Sequence, residues 1–264
     1  MGLYENRIVV KIGTSTLMNG LGKSDLENTE KIVRILSDIS NLGYQLIIVS
    51  SGAIALGSGK MKFSDVPLGR LTLRQKQAAA AVGQCRLLFM YDHFFGFYGK
   101  TIAQILLSAD DIEQENKKDN LIKTFDTLLD DDVIPIVNAN DSVNIEEIQT
   151  SDDKFGDNDM LSATVAVLCR ASRLVLLSDV DAIYEKGAAD HQPLTEIEAV
   201  SGKTAYIASR VSGKGLHEIG TKIEAASYAS SRGTDTYILN GRKSEALYDI
   251  IKGRKVGTFF VGRK

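Results

Sequence analysis

Short apolar runs rich in Val, Ile and Leu alternate along the chain with longer stretches whose apolar residues recur every three or four positions. Arg7-Ile8-Val9-Val10-Lys11-Ile12 has the continuous β-branched character of a buried strand. A helix is expected next. Ser24-x-x-Glu27 is a capping-box sequence, Ile32, Ile35, Leu36 and Ile39 mark one helical face, and Gly43 supplies a stop. Residues 46–49 read as a second buried strand and residues 72–98 as a long helical region with an Ala-rich segment. Strands follow at 102–107, 133–137, 174–177 and 236–239, with a last one near Phe259; helices are expected over 121–129, 160–170, 221–232 and 244–252. Such alternation predicts a mainly parallel sheet covered by helices on both faces. No Pro/Ser-rich linker and no internal repeat divides the chain, so residues 1–264 are expected to form one α/β domain.

Composition narrows the class. At 44% hydrophobic and 25% charged, the chain has the make-up of an ordinary globule rather than a disordered or fibrous protein. Lys and Arg number 31 against 34 Asp and Glu, a net charge of −3, which argues against a protein that coats nucleic acid or acidic lipid. A local basic site for a small anion is still compatible with that balance. The two cysteines, Cys85 and Cys169, lie in apolar helical stretches, where buried free thiols are expected rather than a disulfide framework or zinc site. The three histidines have no metal-ligand spacing, and no apolar run approaches the ~18–20 residues of a membrane span. Residues 1–6 lack the apolar core of a signal peptide, and Asn6 breaks the myristoylation pattern. The expectation is a reduced, cytoplasmic protein, with neither membrane nor nucleic acid as partner.

In open α/β sheets, ligands bind beyond the carboxyl ends of the strands. Four loops there are rich in polar and small residues: Lys11-Ile12-Gly13-Thr14-Ser15, Ser50-Ser51-Gly52-Ala53, Asn138-Ala139-Asn140-Asp141 and Ser178-Asp179-Val180-Asp181. The common phosphate motifs fail. A P-loop at Gly22-Lys23-Ser24 or Gly202-Lys203-Thr204 would need Gly where Leu17 and Ile197 stand, and Asp25 and Glu218 break the two GxGxxG candidates. What is left is Lys11 at a strand end before a Gly-containing turn, either a point charge for phosphate oxygens or a solvated strand-end charge. In Gly156-Asp157-Asn158-Asp159, an Asp or Asn could simply cap the helix that follows. One residue suffices for a cap, so the others are free to bind an amine or orient a lysine. Ser50-Ser51-Gly52 enters a short helix, either as a plain cap or beside a bound anion.

Together, Val9-Val10-Lys11-Ile12-Gly13-Thr14-Ser15, Val49-Ser50-Ser51-Gly52-Ala53-Ile54-Ala55, Gly156-Asp157-Asn158-Asp159 and Val256-Gly257-Thr258-Phe259-Phe260 resemble, in order, segments of the glutamate 5-kinases of the amino-acid kinase family. The likeness runs from about residue 7 to 260. It implies a three-layer αβα sandwich on an open sheet, and transfer of the γ-phosphoryl group of ATP to the side-chain carboxylate of L-glutamate, the first step of proline synthesis. It further implies Mg²⁺ as cofactor, a homo-oligomer (dimer or tetramer), and a form without the PUA domain that many bacterial members carry.

Carried over position by position, the resemblance implies that Lys11 and Lys222 are catalytic and bind the phosphates, with Asp159 orienting them. Ser51, Gly52, Asp141, Asp157 and Asn158 would hold glutamate. Gly13, Ser178, Asp179, Gly215 and Thr221 would complete the ATP site, and no protein ligand to the metal is assigned. Two positions depart from the family pattern. Asn-Glu-Asn-Asp has become Asn138-Ala139-Asn140-Asp141, and the glycine pair of Gly-Thr-Gly-Gly-Met-x-Thr-Lys has become His217-Glu218. The first removes a carboxylate beside the expected ammonium site; the second places bulk where backbone would approach phosphate. Two other readings stay open: a kinase of the same family acting on another small acid, and a weakly active ligand-binding homologue.

Overall fold

The elements follow the sequence periods closely. The computed structural model describes residues 2–19, 23–143, 158–183, 195–198 and 216–263, except for the side chains of 198 and 216–218. In chain order they are β1 (Tyr4–Ile12), α1 (Thr14–Leu17), α2 (Leu26–Asn41), β2 (Gln45–Ser50), α3 (Ala53–Ser58), α4 (Leu73–Phe97), β3 (Ile102–Leu107), α5 (Ala109–Glu113) and α6 (Glu115–Asp130). There follow β4 (Ile134–Ala139), α7 (Asn158–Leu168), β5 (Ala171–Ser178), β6 (Glu196–Glu198), α8 (Leu216–Ser230), β7 (Asp235–Asn240), α9 (Ala246–Ile251) and β8 (Thr258–Val261).

These strands form one sheet in the order β3-β4-β2-β1-β5-β7-β8-β6. Every pairing is parallel except that of β7 with β8. Alternation along each strand splits the core in two. Val9, Ile47, Val49, Leu174 and Leu176 point to one face, where Phe125 and Leu129 of α6, Leu161 and Val165 of α7, and Ile223 and Ala226 of α8 cover them. Ile8, Val10, Ile12, Ile48, Val175 and Leu177 point to the other, under Ile32 and Leu36 of α2, Leu87 and Tyr91 of α4, and Leu247 and Ile250 of α9. Each fully buried side chain of this kind contributes ~1.5–3 kcal/mol, which holds the three layers together. The expected αβα sandwich is therefore the observed architecture.

Local differences from the sequence reading have simple causes. The N-cap of α2 is Asp25, whose carboxylate accepts the Asn28 N–H at 3.1 Å; Ser24 is instead engaged in an isolated antiparallel bridge with Met18. Capping boxes belong instead to α4, where Thr72 and Gln75 satisfy each other's backbone, and to α5, with Ser108 and Asp111. Gly43, at φ +88°, ends α2 in the left-handed region as expected. Cys169 is buried, and burial pushes its thiol up, but Cys85 is exposed because it falls on the outer face of α4. Among the described residues no helix is long and apolar enough to cross a membrane.

The topology puts β1 at the centre. From it the chain moves to β2 on one side, and from neighbouring β5 its next strand is β6, at the far edge on the other side. A crevice opens where connections diverge in this way, beyond the carboxyl ends of β1 and β5. Lys11 lies next to last in β1, paired with Leu176 of β5, and Ser178 ends β5.

Candidate active site

Lys11 shares the parity of Val9, so its side chain leaves the sheet on the face covered by α7 and α8. It is only 5% exposed, and its Nζ meets Asp159 Oδ1 at 2.5 Å. Asp159 stands in the first turn of α7. Its second oxygen receives Lys222 Nζ at 3.2 Å and the Thr221 hydroxyl at 3.3 Å, both from α8. Lys222 is 2% exposed and Asp159 1%. Burial pushes the Asp159 carboxyl up, but the Lys11 and Lys222 ammonium groups outweigh it and hold the group below the usual carboxylate range. Asp159 is therefore ionised at neutral pH. Among the described residues, two ammonium groups meet one carboxylate in a site shielded from water, where electrostatic interactions are strong.

The other predicted residues lie at strand ends and helix starts around this centre. Asn158 does not spend its side chain on a cap: its Nδ2 donates to Ser51 Oγ at 2.8 Å, joining the start of α7 to the turn after β2. The Ser51 N–H donates to Ile12 O at 3.0 Å, which ties that turn to the end of β1. Gly52 bridges β2 and α3 at φ +97°, a conformation that L side chains rarely adopt. Gly13 follows β1, and a Cβ there would sit 3.3 Å from Leu177 O and 3.5 Å from Lys11 Nζ, so its lack of a side chain leaves room beside the ammonium. The buried Ser178 hydroxyl donates to exposed Asp179 at 3.1 Å. Asp157 and Gly215 lie outside the described residues, as do the side chains of His217 and Glu218; the backbone of 217 and 218 belongs to the first turn of α8.

Asp141 stands apart from the lysine cluster, in the turn after β4. It borders a cavity of about 600 Å³ that Ala53, Gln84, Gln104 and Ala139 also line. Ala139, at the family-variant position, thus forms wall where a carboxylate would have protruded. Sequence reasoning missed two buried polar pairs here: Ser50 Oγ with Tyr91 OH at 2.9 Å, and Asn138 Nδ2 with Gln84 Oε1 at 2.9 Å. The available signal was polar atoms on the inward face of α4, level with Leu87 and Tyr91 in helical spacing. Among the described residues no three His, Cys, Asp or Glu side chains are grouped so as to hold a metal ion.

Residues 6–240 match the amino acid kinase family. Glutamate 5-kinase of Clostridium perfringens is 44% identical over 98% of this chain and 96% of its own length. Glutamate 5-kinase of Listeria innocua is 38% identical over 98% and 94%. Among solved structures, carbamate kinase from Giardia lamblia bound to AMP-PNP superimposes with a TM-score of 0.69 at 14% identity, covering 97% of this chain and 98% of that one. UMP kinase from Bacillus anthracis gives 0.65 at 14% identity, covering 98% and 97%. At such identities these two speak for the fold alone.

Proposed function

The chain belongs to the amino acid kinase family and within it to the glutamate 5-kinases, and on that premise we propose how its residues phosphorylate L-glutamate with ATP. The observation that carries the reading is the meeting of Lys11 and Lys222 on the single buried carboxylate of Asp159.

An oxygen of the γ-carboxylate of glutamate attacks the γ-phosphorus of ATP in line. The new bond forms γ-glutamyl phosphate as the bond to the β-phosphate oxygen breaks and ADP leaves with the electron pair. The nucleophile is already ionised at neutral pH, so no general base is needed. The protein's task reduces to positioning and to stabilising charge on the moving phosphoryl group. Lys11 and Lys222 supply that charge. Asp159 aims both ammonium groups and limits their mutual repulsion before substrate arrives. The Ser51–Asn158 pair, tied to the end of β1, receives the acceptor's reacting end; Asp141 pairs with its ammonium. Gly13, Ser178, Asp179 and Thr221 serve the nucleotide side; by sequence position Gly215 is assigned with them, and Asp157 with the glutamate side. No three described His, Cys, Asp or Glu side chains group to cage a metal, so Mg²⁺ would be held mainly by phosphate oxygens and water, and would supply further neutralisation of phosphate charge. We place the reaction in the cytoplasm.

The test is direct. With ATP, Mg²⁺, L-glutamate and hydroxylamine, the wild-type protein yields the coloured hydroxamate, and Lys11→Ala and Lys222→Ala each abolish it. Hydroxamate from a different acid alone would move the acceptor assignment. No product from any acid, with nucleotide still bound, would leave only a binding protein.

A further inference from the structure

Gln84 occupies the inward face of α4, 8% exposed, where helical patterning calls for an apolar side chain. Its orientation is set by a chain of hydrogen bonds that can run only one way. The Ala139 N–H can only donate, and it donates to Asn138 Oδ1 at 2.9 Å. That fixes the Asn138 amide, whose Nδ2 then donates to Gln84 Oε1 at 2.9 Å. Gln84 Nε2 is left buried without an acceptor, which costs ~1–3 kcal/mol. A pair that leaves one donor unsatisfied is a poor device for stability. It is a good device for direction.

What it directs is the end of β4. Beyond Asn138 and Ala139, the Asn140 N–H donates to Leu107 O at 2.8 Å, Ser142 Oγ donates to Asn140 Oδ1 at 2.8 Å, and the Val143 N–H closes the turn on Asn140 O at 3.1 Å. Asp141 rides in this turn. Gln84, Ala139, Asn140, Asp141 and Ser142 all line the same cavity. The Gln84–Asn138 bond is thus the buried link between a 25-residue helix and the turn that presents Asp141.

We propose that Gln84 is a positioning residue for the amino-acid acceptor: through Asn138 it sets where the β4 turn presents Asp141, and so governs acceptor affinity independently of the nucleotide. The inference rests on the assignment of Asp141 to the acceptor ammonium. Gln84→Met fills similar space but offers Asn138 no acceptor. It should raise KM for L-glutamate about tenfold or more, with KM for ATP within about twofold of wild type. Gln84→Glu keeps an oxygen for Asn138 Nδ2 and should give a clearly smaller rise. Asn138→Leu breaks the same link from its other end, so it should match Gln84→Met, and the double variant should be no worse than either single one. Thermal unfolding confirms that each variant is folded; if Gln84→Met does not fold, the Gln84→Glu and Asn138→Leu comparison decides, the first expected mild and the second severe in glutamate KM alone. Unchanged glutamate KM in a folded link-breaking variant would overturn the proposal, as would parallel rises for glutamate and ATP, or a Glu variant as impaired as the Met or Leu one. A wild-type protein that makes no glutamyl phosphate would instead overturn the functional reading itself.

Discussion

Asp159 gathers the chemistry of this protein into one side chain. Each of its oxygens meets a different lysine, and the burial that makes the carboxylate costly by itself also makes those contacts strong. Asp159→Asn would remove the carboxylate charge that two buried ammonium groups share. The variant should lose ~3–5 kcal/mol in chemical denaturation, together with nearly all hydroxamate formation. The pH dependence has a definite sign. The folded-state pKa of Asp159 lies below its ordinary value of 3.8. Its contribution to stability is therefore complete above that value and is lost as pH falls through the lower folded pKa. Denaturation midpoints of wild type and Asp159→Asn should accordingly be well separated at pH 6 and draw together below about pH 3.8; a constant gap would refute this assignment. Lys11 and Asp159 could be picked out from the sequence, one by its place at a strand end and the other by its Asp/Asn cluster. That they form a pair was implied by the family resemblance alone, since nothing near either residue specifies the other.

Helices α3 and α4 touch more closely than side chains would permit. A Cβ on Gly57 would overlap the Ala79 carbonyl, and one on Gly83 would overlap that of Ala53. Backbone meets backbone there, and α3 carries the turn of Ser51 and Gly52 at its start. Gly83→Ala should push α3 off α4, lowering the thermal midpoint by several degrees and raising KM for L-glutamate more than KM for ATP; equal effects on both would place the damage elsewhere. At the start of α8 the family's glycine pair is His217-Glu218, with backbone already helical. Glycine costs a helix roughly 1 kcal/mol per residue relative to Ala, but it lets phosphate approach the backbone. Restoring both glycines should lower KM for ATP while slightly lowering stability, and an unchanged KM would show that this turn does not meet the nucleotide. Elements of this size were mostly legible, because a 3.6-residue or two-residue period appears in any window that contains it. The misplaced cap of α2 shows the limit: Ser24 and Asp25 are both good capping residues, and a bridge from Ser24 to Met18 settled between them.

For the molecule as a whole, sheet order matters most. β1 lies between β2 and β5, so residues 11, 159 and 222, from three separate segments, converge at one crevice. We also expect a homo-oligomer, as the family likeness implies. Light scattering on the purified protein should return at least twice the 28.7 kDa of one chain, and a monomer mass across the working concentration range would refute that expectation.

By itself the sequence determined the alternation of strands and helices, the mainly parallel sheet that follows from it, and the segments that align this chain with its relatives. Those features depend on residues within a turn or two of one another, where backbone preference and apolar spacing act. Only the tertiary structure decided how Lys11 and Lys222 divide the two oxygens of Asp159, that Asn158 serves Ser51 rather than a helix cap, that β8 runs antiparallel to β7, and that Gln84 reaches across to Asn138. Each of these joins groups distant in the chain. Their pairing is fixed by strand order and helix placement, and buried polar atoms bond to whatever partner that packing brings within reach.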